Sequence, residues 1–212
     1  MNDYVWMSTA PGHASNLRPL RHTFSEPEEK REFASQCRKH NMAGASLGAE
    51  CFPEEIFGAP NAKDKDYALP DIFFAGSYWA VSARAADVLR QFDLGSGALY
   101  SVQVTKKDRQ TEVPGPWFCI NFGNVKRAFL PSESKNAEDE YWIRPGVKGW
   151  IARAAMKDGD FAVSKEARKG PDIWIDYDVG DAIFLSRALG DALKKAKADK
   201  GFFMKKCRVV AA

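Results

Sequence analysis

Three groups of residues have types and spacings that could do chemistry. Gly44-Ala45-Ser46-Leu47-Gly48 has the spacing of a nucleophile elbow, in which a strand feeds a tight turn and exposes the serine beside a histidine base. His13, His22 and His40 all precede Ser46, whereas an α/β-hydrolase places its histidine after the serine. The run also follows the charged end Cys37-Arg38-Lys39-His40, so a turn of small residues accounts for it better. Cys37 and His40 with Cys51 offer zinc-type donors, but no fourth ligand stands at a metal-site spacing. Asp172, Asp176, Asp178 and Asp181 form the third group. Close carboxylates can bind Mg²⁺ or share a proton. On an alternating strand Asp176 and Asp178 share the face opposite Ile173, Ile175 and Tyr177, a pattern that a solvated strand edge carries equally well.

A basic C-terminal region places Lys194, Lys195, Lys197, Lys200, Lys205, Lys206 and Arg208 around Phe202 and Phe203. Such interleaving suits single-stranded nucleic acid, but lysines near a helix C-terminus also suit its dipole. A formal charge of only +3 over 212 residues argues against nucleic acid as the partner. Gly95-Ser96-Gly97 lacks the lysine or third glycine of a phosphate loop. These residues therefore predict no catalytic, cofactor-binding or metal site.

The elements that would position these groups are legible in outline. Tyr4 to Met7 reads as a strand. Ser25-Glu26-Pro27-Glu28 has capping-box spacing and opens a helix to about His40, with Phe33 and Cys37 buried at i, i+4 and a stop near Gly44. Residues 41–69 read mostly as loop, broken by Pro53, Gly58 and Pro60. Pro70-Asp71-Ile72-Phe73 recurs as Pro171-Asp172-Ile173-Trp174, and Val81-Ser82 as Leu185-Ser186, with each serine placed to cap a helix. Asp87 then matches Asp191. The stripe Ala85, Val88, Leu89, Phe92 matches Leu189, Ala192, Leu193, Ala196, and strands follow at 99–104 and 202–210. Lys205-Lys206 disturbs the alternation of the second strand and suggests a bulge. Between the copies, Trp117 to Phe122, Tyr141 to Arg144 and Gly149 to Met156 read as strands, and the acidic segment 132–140 as a surface loop. The expectation is an α/β or α+β fold in one domain over 1–212. It has a mixed sheet and a repeated strand–helix–strand unit at 70–104 and 171–210, preceded by an N-terminal strand, helix and loop over 1–69 and separated by central strands over 105–170.

Hydrophobic residues at 45 % and charged residues at 28 % allow a sizeable core and exclude a disordered chain. Cys37, Cys51, Cys119 and Cys207 are too dispersed for a disulfide framework and are expected to be free thiols. No signal-peptide pattern and no long apolar run occur, so the expected location is cytoplasmic, with no membrane contact.

Pro70-Asp71-Ile72-Phe73 with Val81-Ser82, and Phe184-Leu185-Ser186 with Ala192-Leu193 and the C-terminal strand, resemble a bacterial immunity-protein family, the Imm-eleven family of polymorphic toxin systems. The likeness covers roughly residues 70 to 210. The aspartate–serine pair common in the central segment of that family has no counterpart at Ala128-Phe129-Leu130-Pro131-Ser132, so no functional residue is carried over. The resemblance implies an antidote that binds a cognate protein toxin and occludes its active surface. Aromatic anchors in a polar rim would supply such a contact. The first candidate surface is Trp142 beside Glu138, Asp139 and Glu140; the second is Trp174 and Tyr177 beside Asp176 and Asp178. The alternatives are a general protein-interaction domain and an enzyme using the carboxylates of 172–181.

Overall fold

Segments such as Ile-Phe-Phe-Ala and Ile-Trp-Ile-Asp do not alternate apolar with polar, which is the pattern of strands covered on both faces. The computed structural model describes residues 3–144, 146–153 and 155–211, without the side chains of Glu140, Tyr141 and Arg144. In chain order the elements begin with β1 (Tyr4–Ser8), β2 (Leu20–His22), α1 (Glu28–Met42), β3 (Glu55–Gly58), β4 (Ile72–Ala75), β5 (Tyr78–Ser82) and α2 (Ala83–Leu89). β6 (Ala98–Thr105), β7 (Trp117–Asn121), β8 (Val125–Lys126), β9 (Ala137–Arg144) and β10 (Val147–Ala152) follow. The chain ends with β11 (Ala162–Ser164), β12 (Ile173–Asp176), β13 (Ile183–Leu185), α3 (Arg187–Lys195) and β14 (Met204–Val210).

Among the described residues these strands form two six-stranded sheets, β2-β3-β6-β7-β5-β4 and β11-β14-β1-β13-β12-β8, and the separate pair β10-β9. With three α-helices beside mixed sheets, the fold is α+β. One core cluster joins the facing sides of the two large sheets. Ile72, Val81, Leu89 and Ile120 meet Trp6, Ile173, Leu185, Leu189 and Leu193 there. A second cluster fills the far side of the first sheet, where Cys37 of α1 packs over Phe73, Tyr78, Ala80 and Cys119. A third fills the far side of the second sheet, with Val5, Met7, Trp174, Phe184 and Cys207 against Phe129, Phe161 and Val179. Successive residues of β12 thus alternate between two cores rather than between core and water.

The two sheets follow one plan. β4 pairs antiparallel with β5 through Ile72↔Val81, and β12 with β13 through Ile173↔Leu185. β7 lies antiparallel between β5 and β6, and β1 between β13 and β14. Beyond them β3 runs parallel to β6, and β11 parallel to β14. Ser82 and Ser186 are both N-caps, each accepting the amide three residues on at 3.2 Å. The motif aspartates lock the units together reciprocally. The Asp71 carboxylate accepts the Lys200 amide after α3 (3.0 Å), and the Asp172 carboxylate accepts the Asp93 amide after α2 (2.9 Å). This likeness does not establish 70–104 and 171–210 as a superposable repeat, because the middle strand comes from opposite directions along the chain and the strand connections differ in length.

Several expectations are corrected. Pro27, not Ser25, stands at the N-cap of α1, because the Ser25 hydroxyl already accepts the His22 amide at 2.9 Å. Phe33 is 41 % exposed and only edges against Phe24. The 41–69 segment contains β3, short and flanked by Pro53 and Pro60. β9 begins inside the expected acidic loop. β14 starts after Phe203, whose φ of 51° breaks the strand, and it then pairs with β1 in unbroken register through Lys205 and Lys206, so the bulge is absent.

Candidate functional site

One buried carboxylate of the second sheet, that of Asp176, braces the turn that carries a hairpin. Asp176 ends β12 and is completely buried. Alternation puts it opposite Ile173 and Ile175 as expected, but that face is covered by the third core cluster. One carboxylate oxygen accepts the amides of Ala128 (2.9 Å) and Phe129 (3.1 Å), and the other accepts that of Asp178 (3.0 Å). Burial holds this carboxyl above the ordinary carboxylate range, against the opposing pull of the three amides. Three of its acceptor sites are thus committed to the fold, and Asp178 meets it through a backbone amide rather than through its carboxylate. The solvated edge expected for Asp176 is therefore corrected. Asp178 and Tyr177 are half-buried in the turn that follows, where the Tyr177 amide donates to the Lys126 carbonyl at 2.8 Å.

Trp174 is likewise withdrawn from the candidate surface. Its side chain is fully buried, stacked on Phe184 at 5.7 Å between centroids. The Lys126 ammonium lies 3.8 Å from the Trp174 ring centroid and donates to the carbonyls of Pro171 (2.8 Å) and Ala167 (3.3 Å). Burial lowers Lys126 to about 8, while the charges of Asp172 and Asp93 pull the other way.

The turn after Asp176 carries the β9–β10 hairpin. The Trp150 amide donates to the Asp178 carbonyl and the Gly180 amide to the Trp150 carbonyl, both at 2.8 Å, so β10 is pinned along one edge. Close approach requires two glycines. A Cβ on Gly149 would lie 2.4 Å from Ile143 Cδ1 and 2.6 Å from the Asp178 carbonyl, and one on Gly180 would lie 2.4 Å from Ile143 Cγ2. A cleft of about 210 Å³ remains under the hairpin, bordered by Arg38, Met42, Ile143 and Asp181.

On the outside of the hairpin stands Trp142, 70 % exposed, the most exposed large apolar side chain among the described residues. The Lys148 ammonium lies 5.5 Å from its ring centroid. Glu138 pairs with Arg153 at 2.8 Å, and Asp139 is exposed. The structure thus brings Glu138, Asp139 and Trp142 onto one strand. Glu140 is on that strand too, but its side chain lies outside the described residues. Arg153, Lys148 and the two packing glycines were not singled out from the sequence. The Pro145-Gly146 dipeptide is the signal that would have joined Tyr141–Arg144 and the following strand into one hairpin.

The remaining chemical candidates fall apart. Ser46 lies in the loop after α1, where Gly44 takes a φ of 75°, and its hydroxyl donates to the Ser96 carbonyl at 3.3 Å. All four cysteines are buried free thiols. Among the described residues no group of three His, Cys, Asp or Glu is placed to hold a metal ion, and no helix is long and apolar enough to cross a membrane. Compared with known families, residues 11–208 match the model described as "Immunity protein family (Imm11)". No curated protein matches the chain.

Proposed function

Since the chain belongs to the Imm11 immunity protein family, we propose that it binds a cognate protein toxin and neutralises it by covering its active surface. The match across nearly the whole chain carries this reading. The toxin would be encoded beside it, in a bacterial polymorphic toxin system, and would be met in the cytoplasm. The contact would centre on the β9–β10 hairpin, with Trp142 as the anchor, Glu138, Asp139 and Glu140 as a polar rim, and Tyr177 and Asp178 at its border. A large aromatic exposed on a polar strand is the usual composition of such an anchor. A stable complex buries about 1,600 Å² in total, so surfaces beside the hairpin would share the footprint.

Co-expression of the adjacent toxin with and without this protein tests the proposal. Growth restored only in its presence, with both chains co-purifying in fixed ratio, is the expected result. No protection would refute it; protection by a catalytic amount, with a chemically altered toxin and no complex, would replace occlusion by enzymatic neutralisation.

A further inference from the structure

The cleft of about 210 Å³ lies between the β9–β10 hairpin and α1. Its lining is mostly apolar. Ile175 of β12 with Val179 and Ala182 of the following turn are buried, and Met42 of α1 and Ile143 of β9 are half-buried. An apolar cavity of about 150 Å³ holds a benzene ring, so this cleft has room for an aromatic side chain. Trp142 and Ile143 are consecutive on β9 and point to opposite sides, so the cleft sits on the inner face of the hairpin that carries Trp142 outside.

The rim is charged. Arg38 and Lys39 border the cleft from α1, and Asp181 borders it where it adjoins a second cleft of about 460 Å³, bordered in turn by Arg153 and Lys205. Arg153 is paired with Glu138, whereas Arg38, Lys39 and Lys205 have no ion pair among the described residues. The Arg38 guanidinium rests on the Phe74 ring, 5.1 Å from its centroid. Three cations thus stand against the one carboxylate of Asp181, an excess that favours an acidic partner over a basic one.

We propose that the cleft under the hairpin receives an aromatic side chain of a partner protein, with an acidic residue beside that ring held by Arg38 and Lys39. The apolar floor would supply affinity, as pockets filled by aromatic anchors do, and the cations would select the acidic neighbour. This deepens the toxin-binding reading and rests on it for the partner's identity: the ring and the acid would belong to the toxin.

The test is NMR of the full chain with methyl-labelled methionine, because Met42 borders this cleft, Met156 the second one, and Met7 lies in the core as a check on folding. The probes are the peptides Glu-Phe-Glu, Lys-Phe-Lys and Glu-Ala-Glu with blocked termini. Glu-Phe-Glu is expected to shift the Met42 methyl saturably, Glu-Ala-Glu to leave it in place, and Lys-Phe-Lys to bind about tenfold more weakly or worse. Arg38→Gln with Lys39→Gln, both exposed, is expected to erase that preference, and Arg38→Glu with Lys39→Glu to reverse it. No saturable Met42 shift, equal binding of the two phenylalanine peptides, or an unaltered preference in either folded variant would overturn the proposal. A shift at Met156 alone would assign the ring to the wider cleft, and a concentration-dependent Met42 shift without peptide would assign the cleft to a second copy; each overturns it. The outcome separates from that of the toxin experiment. A toxin complex that leaves Met42 unshifted would refute the cleft and leave occlusion standing. Selective peptide binding without any toxin complex would support the cleft and move the partner elsewhere.

Discussion

The two large sheets share the order of five strands and the serine caps, but they differ sharply in one hairpin connection. β4 and β5 are joined by a two-residue turn at Gly76 and Ser77, with Gly76 at a φ of 67°. The corresponding β12 and β13 are joined through 177–182, and that longer turn docks the hairpin. Asp176, just before it, stands where Ala75 stands in the first sheet: a buried carboxylate in place of a buried methyl. The shared plan builds the core, and the candidate contact surface arises where the plan is broken. A packing scaffold can thus carry an added hairpin without remodelling either sheet.

The largest effect expected from breaking this comparison is at Asp176. Asp176→Ala leaves three amides without their acceptor and should cost about 3 kcal/mol or more in urea unfolding. Asp178→Asn, in the half-buried turn, should cost under about 0.5 kcal/mol. Equal effects would show that the longer turn is not hung on Asp176.

The first sheet holds the counterpart in His22, which burial lowers to about 4 from 6.5 and whose Nδ1 has no hydrogen-bond partner among the described residues. The unfolded chain binds the proton first as pH falls, so the native state loses stability from about pH 6.5 down to 4, by about 3 kcal/mol for this group. Asp176, shifted upward, works in the opposite sense. Unfolding followed across that window should steepen with acid in the wild type and flatten in His22→Asn.

Cap-relative position four compares the helices directly, since it is Ala86 in α2 and Gly190 in α3. A Cβ on Gly190 would lie 2.0 Å from Trp6 Cδ1. Gly190→Ala should therefore destabilise by about 2 kcal/mol, although alanine is favoured over glycine in a helix by about 1 kcal/mol. A rise in melting temperature would contradict the packing of α3 on β1.

Smaller effects than these are expected at the caps. Ser186→Ala should cost about 1 kcal/mol. Ser82→Ala should cost somewhat more, because that hydroxyl also donates to the buried Asp71 carboxylate at 2.7 Å, where Arg84 pairs at 2.9 Å. Thermal unfolding of both variants checks the order.

Much of this was readable from residue types. β1, β7, both capped helices and the strands of the hairpin announce themselves through β-branched and aromatic runs or a serine before an apolar stripe. β3 does not, because its four residues are too few to show a period between two prolines. The start of α1 misleads because a hydroxyl that fits a cap can be claimed by a nearer amide. The candidate surface was half legible. Trp142 is where a polar neighbourhood suggested, whereas Trp174 and Asp176 are interior. Alternation correctly separates the two faces of β12, but it cannot say that both are covered, because the covering residues around 128–163 are distant in sequence.

The hairpin is the proposed contact, and the sheets carry it. The affinity of purified Trp142→Ala for the toxin proposed as its partner measures this most directly. Because the side chain is 70 % exposed, the melting temperature should not move, while Kd should rise by about thirtyfold or more, the loss of a central anchor. An unchanged Kd in a folded variant would place the contact elsewhere and contradict the account.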